Sequence, residues 1–344
     1  MKQVYVFPGT FSPPTYGHLD IVLQAAETFP EVIIVCSVNS DKDGVMFTPS
    51  ECKELWKTYD LPQSVKVFTF EEFQTMGIDP SQIVMIRGIR GKEDTEHERK
   101  VIILNKEQYG ITKFYYIFSR DEYVKISSSE ARRHAREMDL VALSKEVSPL
   151  VVTALLEQSI PTKNIFMVVG KPAGGKSTFL RMLERMDDNN VYINTDYFNQ
   201  QLKSFLRERL GDNLLDVATN NESLLKEIIA GPWIELLIKA LKEAPKKSNI
   251  FVEIPYGLQA DKELYRLIGG KIIYIGCDDK EVVARNEQRN TPHLKEFINK
   301  IPDKEESAKI VEQANLKAYY IDTNCSLESL TSVAQSFNEV IQGG

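Results

Sequence analysis

The chain has 344 residues, 42% hydrophobic and 26% charged, ordinary proportions for a folded globular protein. At roughly 100–200 residues per domain, that length predicts two domains, with a third left open. A formal net charge of −7 disfavours non-specific binding to nucleic acid or an anionic membrane, although local basic clusters can still grip phosphates.

No apolar run approaches the roughly 20 residues that span a bilayer, and the apolar start VYVFPG is too short for a signal peptide. The four cysteines (Cys36, Cys52, Cys277, Cys325) are scattered and form no C-x-x-C pair. A cytoplasmic protein with free thiols is expected.

The first half alternates strand and helix signals. VYVF (4–7) is a short apolar run stopped by Pro8-Gly9. HLDIVLQAAETF (18–29) places Leu19, Ile21, Val22 and Ala25 on one helical face. EVIIVCSV (31–38) has the unbroken apolar character of a strand buried on both faces. Thr48-Pro49-Ser50-Glu51 opens a helix with a cap and an early proline. VKVFTF (65–70), QIVMI (82–86) and FYYIF (114–118) supply further strands, and SSSEARRHAREM (127–138) reads as a helix with a serine-rich start.

Beyond VTALLEQSIPTKN a second series begins. Its strands are IFMVVG (165–170), VYINT (191–195), NIFVEI (249–254), KIIYIG (271–276) and AYYID (318–322), with a long helical stretch over 197–243. Strands separated by helix-length segments predict an α/β architecture with two doubly wound parallel sheets. The expected division is a first domain at 1–158, a linker at 159–163 and a second domain at 164–344.

The sharpest motif is Gly170-Lys171-Pro172-Ala173-Gly174-Gly175-Lys176-Ser177, a complete G-x-x-x-x-G-K-[ST] between an apolar strand and the helix TFLRMLERM. Gly170, Gly174 and Gly175 let backbone N–H groups turn inward around phosphate oxygens. The helix start at Thr178 adds positive potential. Lys176 places a charge on the β- and γ-phosphates, and Ser177 is a ligand for Mg²⁺. Asp196, at the end of YINTD, is expected as base or orienter of an acceptor hydroxyl, or as the cap of the next helix. Arg285 and Arg289 lie four apart, so one helical face would present both to the phosphates as a lid. Glu253, at the end of a buried strand, is a second candidate for Mg²⁺.

This half resembles dephospho-coenzyme A kinase over roughly 164–335. The phosphate-loop lysine, the aspartate after the second strand, the arginine pair and the late IDTNCSLESL segment carry the likeness. The resemblance implies ATP-dependent phosphorylation of the ribose 3′-hydroxyl of dephospho-coenzyme A.

The first half carries PGTFSPPTYGHLD between its first strand and helix, with Thr15-Tyr16-Gly17-His18 as T-x-G-H at the helix mouth. A histidine there can donate to a phosphate. Lys42 follows the second strand, Arg87-Gly88-Ile89-Arg90 follows QIVMI, and Ile126-Ser127-Ser128-Ser129 begins a late helix. These groups fall at carboxyl ends of strands or at helix starts, where doubly wound sheets bind ligands.

The order of these motifs is similar to phosphopantetheine adenylyltransferase, of the T/H-x-G-H nucleotidyltransferase superfamily, over 1–158. The resemblance implies a Rossmann-like fold and attack of the phosphate of 4′-phosphopantetheine on the α-phosphorus of ATP, releasing pyrophosphate with Mg²⁺ bridging the phosphates. It assigns His18 to the α-phosphate, Thr10 to the attacking phosphate, and Lys42 and Arg87 to the acceptor. It assigns Gly9, Phe11, Gly17, Arg90, Glu98 and Ser127–Ser129 to ATP. Ser12 departs from the family's usual aspartate, and Lys125 from an apolar or aromatic residue.

Together the halves suggest a bifunctional enzyme of coenzyme A synthesis. An alternative in the same domain order is a nicotinamide mononucleotide adenylyltransferase joined to a ribosylnicotinamide kinase. A non-catalytic nucleotide sensor is a third reading, disfavoured by intact His18, Lys176 and Ser177. The expected partners are these small molecules, with oligomerisation left open.

Overall fold

A computed structural model describes residues 3–38, 44–91, 94–198, 200–202, 229–254, 269–289, 304–313 and 316–343, with single positions at 208, 223, 265 and 267. Lys42 lies outside the described residues. The chain divides into two units, 1–151 and 152–344.

The first unit runs β1 (Val4–Gly9), α1 (Tyr16–Thr28), β2 (Val32–Cys36), α2 (Pro49–Trp56), β3 (Val65–Thr69), α3 (Phe70–Thr75), β4 (Ile83–Ile89), α4 (Asp94–Tyr109), β5 (Lys113–Phe118), α5 (Ser128–Glu137) and α6 (Leu140–Ser144). Helix α7 (Pro149–Ser159) follows, and the division between the units falls within it, ahead of the expected 159–163 connector.

The first sheet has strand order β3-β2-β1-β4-β5, every described pairing parallel. VIIVC in β2 is buried at all five positions, as an interior strand covered on both faces requires. Val6, Ile33, Val35, Ile83 and Met85 pack with Phe68, Phe70, Phe73 and Phe114 on one side of the sheet. Each large side chain withdrawn from water in this way contributes roughly 1.5–3 kcal/mol. Thr48 and Glu51 make a reciprocal cap on α2, matching the start expected at Thr48-Pro49.

The second unit runs β6 (Asn164–Val169), α8 (Lys176–Met186), β7 (Asn190–Ile193), α9 (Ile234–Glu243), β8 (Asn249–Glu253), β9 (Lys271–Gly276), α10 (Asp279–Gln288), α11 (Lys304–Gln313), β10 (Lys317–Asp322) and α12 (Leu327–Gly343). Its sheet order is β10-β9-β6-β8-β7, again parallel. Phe166, Phe179, Phe251 and Phe337 form the centre of its core.

Two expectations about elements change. QIVMI does not end at Ile86: β4 continues through Arg87 and Gly88 to Ile89, because β5 pairs with it over that length (Arg87↔Tyr116, Ile89↔Phe118). Only Arg90 follows the strand. The helical stretch expected over 197–243 is broken at Gly231-Pro232, where Gly231 takes φ −109° and ψ −109°. Proline removes a backbone donor, and α9 starts beyond it; most of 203–228 lies outside the described residues.

The four cysteines are free thiols. Burial, reinforced by Glu51, pushes the Cys52 thiol up to about 12, so it stays protonated and inert. Among the described residues no helix is long and apolar enough to cross a membrane.

Candidate functional site

In the first sheet the chain winds outward from β1 in one direction through β2 and β3, and in the other through β4 and β5. The crevice at the carboxyl ends of β1 and β4 is where such a sheet admits a ligand. The β1–α1 loop enters it, and Thr15 closes that loop as the cap of α1.

The His18 ring is held in one tautomer. Its Nδ1 lies 3.2 Å from the Thr15 backbone N–H, which can only donate, and 2.9 Å from Thr15 Oγ1. With Nδ1 accepting, the neutral ring carries its proton on Nε2. Phe11, buried and with φ +45°, sets its ring edge-on to His18 at 5.1 Å and also touches Trp56 at 5.3 Å. Phe11 therefore buttresses the histidine from below. Thr10 is buried at the end of β1.

Gly17 has a steric reason. A Cβ there would stand 2.9 Å from the Ile126 carbonyl, so only glycine lets the 126–129 segment close against α1. The three serines of that segment divide their work. Ser127 caps α5 by accepting the Glu130 N–H, and Ser128 donates to the Pro13 carbonyl at 2.7 Å. Ser129 Oγ accepts from Arg132, whose other amino group donates to the Ser12 carbonyl at 2.6 Å.

Ser12 is 2% exposed, and its hydroxyl oxygen accepts both the Met46 and Phe47 N–H groups, at 2.9 and 3.0 Å. A small neutral acceptor thus does the loop-tying that a carboxylate there would also do. Arg132 was not anticipated from the sequence. Its position three residues after Ser129, on the same helical face, was the available signal. Burial, then the neighbouring Arg136, hold its guanidinium below the usual arginine value.

Arg87 and Glu98 meet. The buried Glu98 carboxylate accepts from Arg87 Nε at 2.9 Å and from Nη2 at 2.6 Å. The two residues expected on opposite substrates are thus one side-on ion pair. Arg90 is exposed just beyond β4, as is Lys125 ahead of the serine segment.

In the second unit the loop after β6 lies between the ends of β8 and β9, the central position of that sheet. Gly170 takes φ +146°, and a Cβ there would stand 2.3 Å from the Ile275 carbonyl. Gly174 and Gly175 complete the turn into α8, which opens with Lys176, Ser177 and Thr178. Thr323, 2% exposed, hydrogen-bonds the Gly174 carbonyl at 2.6 Å and the Gly276 carbonyl at 2.9 Å, tying the loop to the β10 end.

Lys176 is 7% exposed and donates to the Gly170 carbonyl at 2.7 Å and the Lys171 carbonyl at 3.1 Å. Its Nζ is also 3.8 Å from Glu253 Oε1. Burial lowers its proton affinity, with Arg289 adding to the effect and Glu253 and Asp196 opposing it. Glu253 Oε2 accepts from Ser177 Oγ at 3.3 Å and from the Tyr192 hydroxyl. Asp196 keeps an exposed edge, yet partial desolvation and then Glu253 hold its carboxyl above the usual aspartate range.

The two arginines differ in their surroundings. Arg285 is turned to Glu281 at 2.9 Å and to the Thr323 carbonyl at 3.2 Å, while Arg289, at the end of α10, is the one whose charge reaches Lys176. Helix α10 itself is fastened to the loop by Lys171–Asp279 at 2.6 Å and by Asn286 to the Pro172 carbonyl at 3.4 Å. Lys171, Tyr192 and Thr323 are further side chains around this loop. Lys171 lies inside the glycine-rich motif and Thr323 inside IDTNCSLESL, while Tyr192 carried no sequence signal of its own.

The Cytidylyltransferase-like family matches residues 6–134. Phosphopantetheine adenylyltransferase from Leptospira biflexa serovar Patoc is 32% identical over 163 residues, 46% of this chain and 98% of that protein. The enzyme of the same name from Clostridium beijerinckii is 34% identical over 137 residues, 39% of this chain and 85% of that protein. A crystal structure of NadR protein in complex with NR aligns over 98% of this chain and 96% of its own at 14% identity and a TM-score of 0.37, too distant for any functional inference. The first unit is a nucleotidyltransferase domain.

Proposed function

The first half of the chain belongs to the phosphopantetheine adenylyltransferase family, and from that premise we propose that its crevice transfers the adenylyl group of ATP to the phosphate of 4′-phosphopantetheine. The carrying observation is His18, fixed by Thr15 with its Nε2 proton directed away from the capping residue. A phosphate oxygen of the acceptor attacks the α-phosphorus, and the bond to pyrophosphate breaks. No protein nucleophile is needed. The work is positioning and neutralising the charge that grows on the α-phosphate oxygens. His18 donates to that charge. Thr10, Lys42 and Arg87 receive the acceptor phosphate, while Arg90 and the Ser127–Ser129 segment hold ATP together with Gly9, Phe11 and Gly17.

For the second unit we infer an ATP-dependent kinase acting on dephospho-coenzyme A, the product of the first reaction. The buried lysine, the α8 N-terminus and Asp196 support it. Lys176 exchanges its two carbonyl partners for phosphate oxygens, and Arg289 adds a second cation. Asp196 accepts or orients the acceptor hydroxyl. Ser177 and Glu253, two oxygen donors 3.3 Å apart, suit Mg²⁺, a hard cation bound by few protein ligands and by substrate phosphates. Bound there, it would neutralise charge on the β- and γ-phosphates.

The test is pyrophosphate release from Mg-ATP with either 4′-phosphopantetheine or nicotinamide mononucleotide. Release with the first supports the reading; release with only the second overturns it.

Glu98 gives a sharper expectation within that assay. It grips Arg87 side-on through Nε and Nη2, and in this reading Nη1 is the group that takes the acceptor phosphate. Glu98→Gln raises the KM for the phosphate acceptor by about tenfold, the scale of one charge-assisted bond, and leaves the KM for ATP unchanged. The reverse pattern would return Glu98 to the nucleotide.

A further inference from the structure

Glu253 is crowded with hydroxyls. Ser177 Oγ and the Tyr192 hydroxyl both donate to the same oxygen, Oε2, while Oε1 faces Lys176 at 3.8 Å. The main chain of Glu253 is also anchored, because Thr195 Oγ1 donates to its carbonyl. Tyr192 lies on β7 beside β8, and its half-buried ring packs on the unit's core. Neither the glycine-rich motif nor the resemblance to a kinase family points to Tyr192.

We propose that Tyr192 is a positioning residue, acting through Glu253, that sets the Ser177 hydroxyl for a divalent cation. The chain of cause is short. A serine hydroxyl binds a cation with an oxygen lone pair, so its proton must point elsewhere. Here that proton goes to Glu253 Oε2. A carboxylate on a strand end can rotate, and a rotated Glu253 would let the serine proton swing back toward the cation. The Tyr192 hydroxyl, donating to the same oxygen from a neighbouring strand, fixes the rotation. Partners of this kind, one bond removed from a metal ligand, govern metal affinity strongly.

The inference rests on the reading of the second unit as a phosphoryl-transfer site. Its test is Mg²⁺ titrated calorimetrically into the full chain saturated with ADP. In Tyr192→Phe, Mg²⁺ binds about 10-fold more weakly than in the unaltered chain, while ADP affinity in the absence of Mg²⁺ stays within about twofold. In a Glu253→Ala background, Tyr192→Phe loses most of that effect, because the tyrosine acts chiefly through that carboxylate. Unchanged Mg²⁺ affinity in Tyr192→Phe overturns the proposal. So does an equal loss in the Glu253→Ala background, and so does a loss of metal-free ADP binding, which would make Tyr192 a general structural support. If the unaltered chain binds no ADP or transfers no phosphoryl group, the kinase reading itself fails. If it does both and Tyr192→Phe is silent, only the role of Tyr192 falls.

Discussion

His18→Ala lowers the rate of pyrophosphate release by about 10²–10³-fold, the cost of removing one preorganised donor from a developing oxyanion. The loss falls on kcat, because His18 faces charge that grows only as the α-phosphorus is attacked. Affinity for ATP changes little. His18→Gln recovers part of the rate if its side-chain amide can take over the donor role of Nε2. Alanine also leaves the Phe11 ring without its edge-on neighbour, so the folded state loses a modest contact. Circular dichroism and a melting curve separate that effect from catalysis. Phosphorylation of added dephospho-coenzyme A continues unchanged, because the two sites belong to different units. Loss of both reactions in a folded His18→Ala protein would sink the two-site reading.

Lys176→Ala has the converse outcome. Phosphoryl transfer falls by at least about 100-fold and pyrophosphate release is kept. Stability supplies a second, independent readout. The lysine is buried against two backbone carbonyls, and burial holds its proton affinity below the unfolded value. The charged form is thus disfavoured by folding at neutral pH. That cost is present below the lysine's folded-state value and fades as pH rises through it. Removing the charge removes that cost but also the two carbonyl bonds and the cation beside Glu253, so the melting temperature of the nucleotide-free protein changes little in Lys176→Ala. Nucleotide repays the cost in the unaltered chain, so ADP raises the melting temperature of that chain more than that of the variant. A variant that melted well below the parent without nucleotide would contradict this account of the lysine.

The two units differ in how openly their chemistry is written. In the second, strand, turn, lysine, serine and helix are contiguous, so the motif is legible in the sequence, even though the reason for Gly170, the Ile275 carbonyl where its Cβ would be, lies on β9. In the first, the site is dispersed over Thr15, His18, Arg87 and the 126–129 segment. Their meaning depends on the sheet bringing them together. The reason for Gly17 is 109 residues away in the chain, at the Ile126 carbonyl (126 − 17). No local pattern contains that distance.

Hydrophobic periodicity by itself determined the class of the protein. Unbroken apolar runs such as VIIVC can be buried on both faces only in an interior parallel strand, and helix-length segments between them require crossovers. Motif chemistry determined that His18, Lys176 and Ser177 stand at helix starts. Only the tertiary structure decided partnership. Arg87 sits inside β4 because β5 pairs with it there, and so it faces Glu98. Arg285 is drawn to Thr323 and Glu281, while the charge of Arg289 lowers the proton affinity of the lysine. Tyr192 finds Glu253 because β7 lies beside β8. Long charged and phenolic side chains take whichever partner the packed backbone brings within about 3 Å, and that choice is made by sheet order and burial, not by residue spacing.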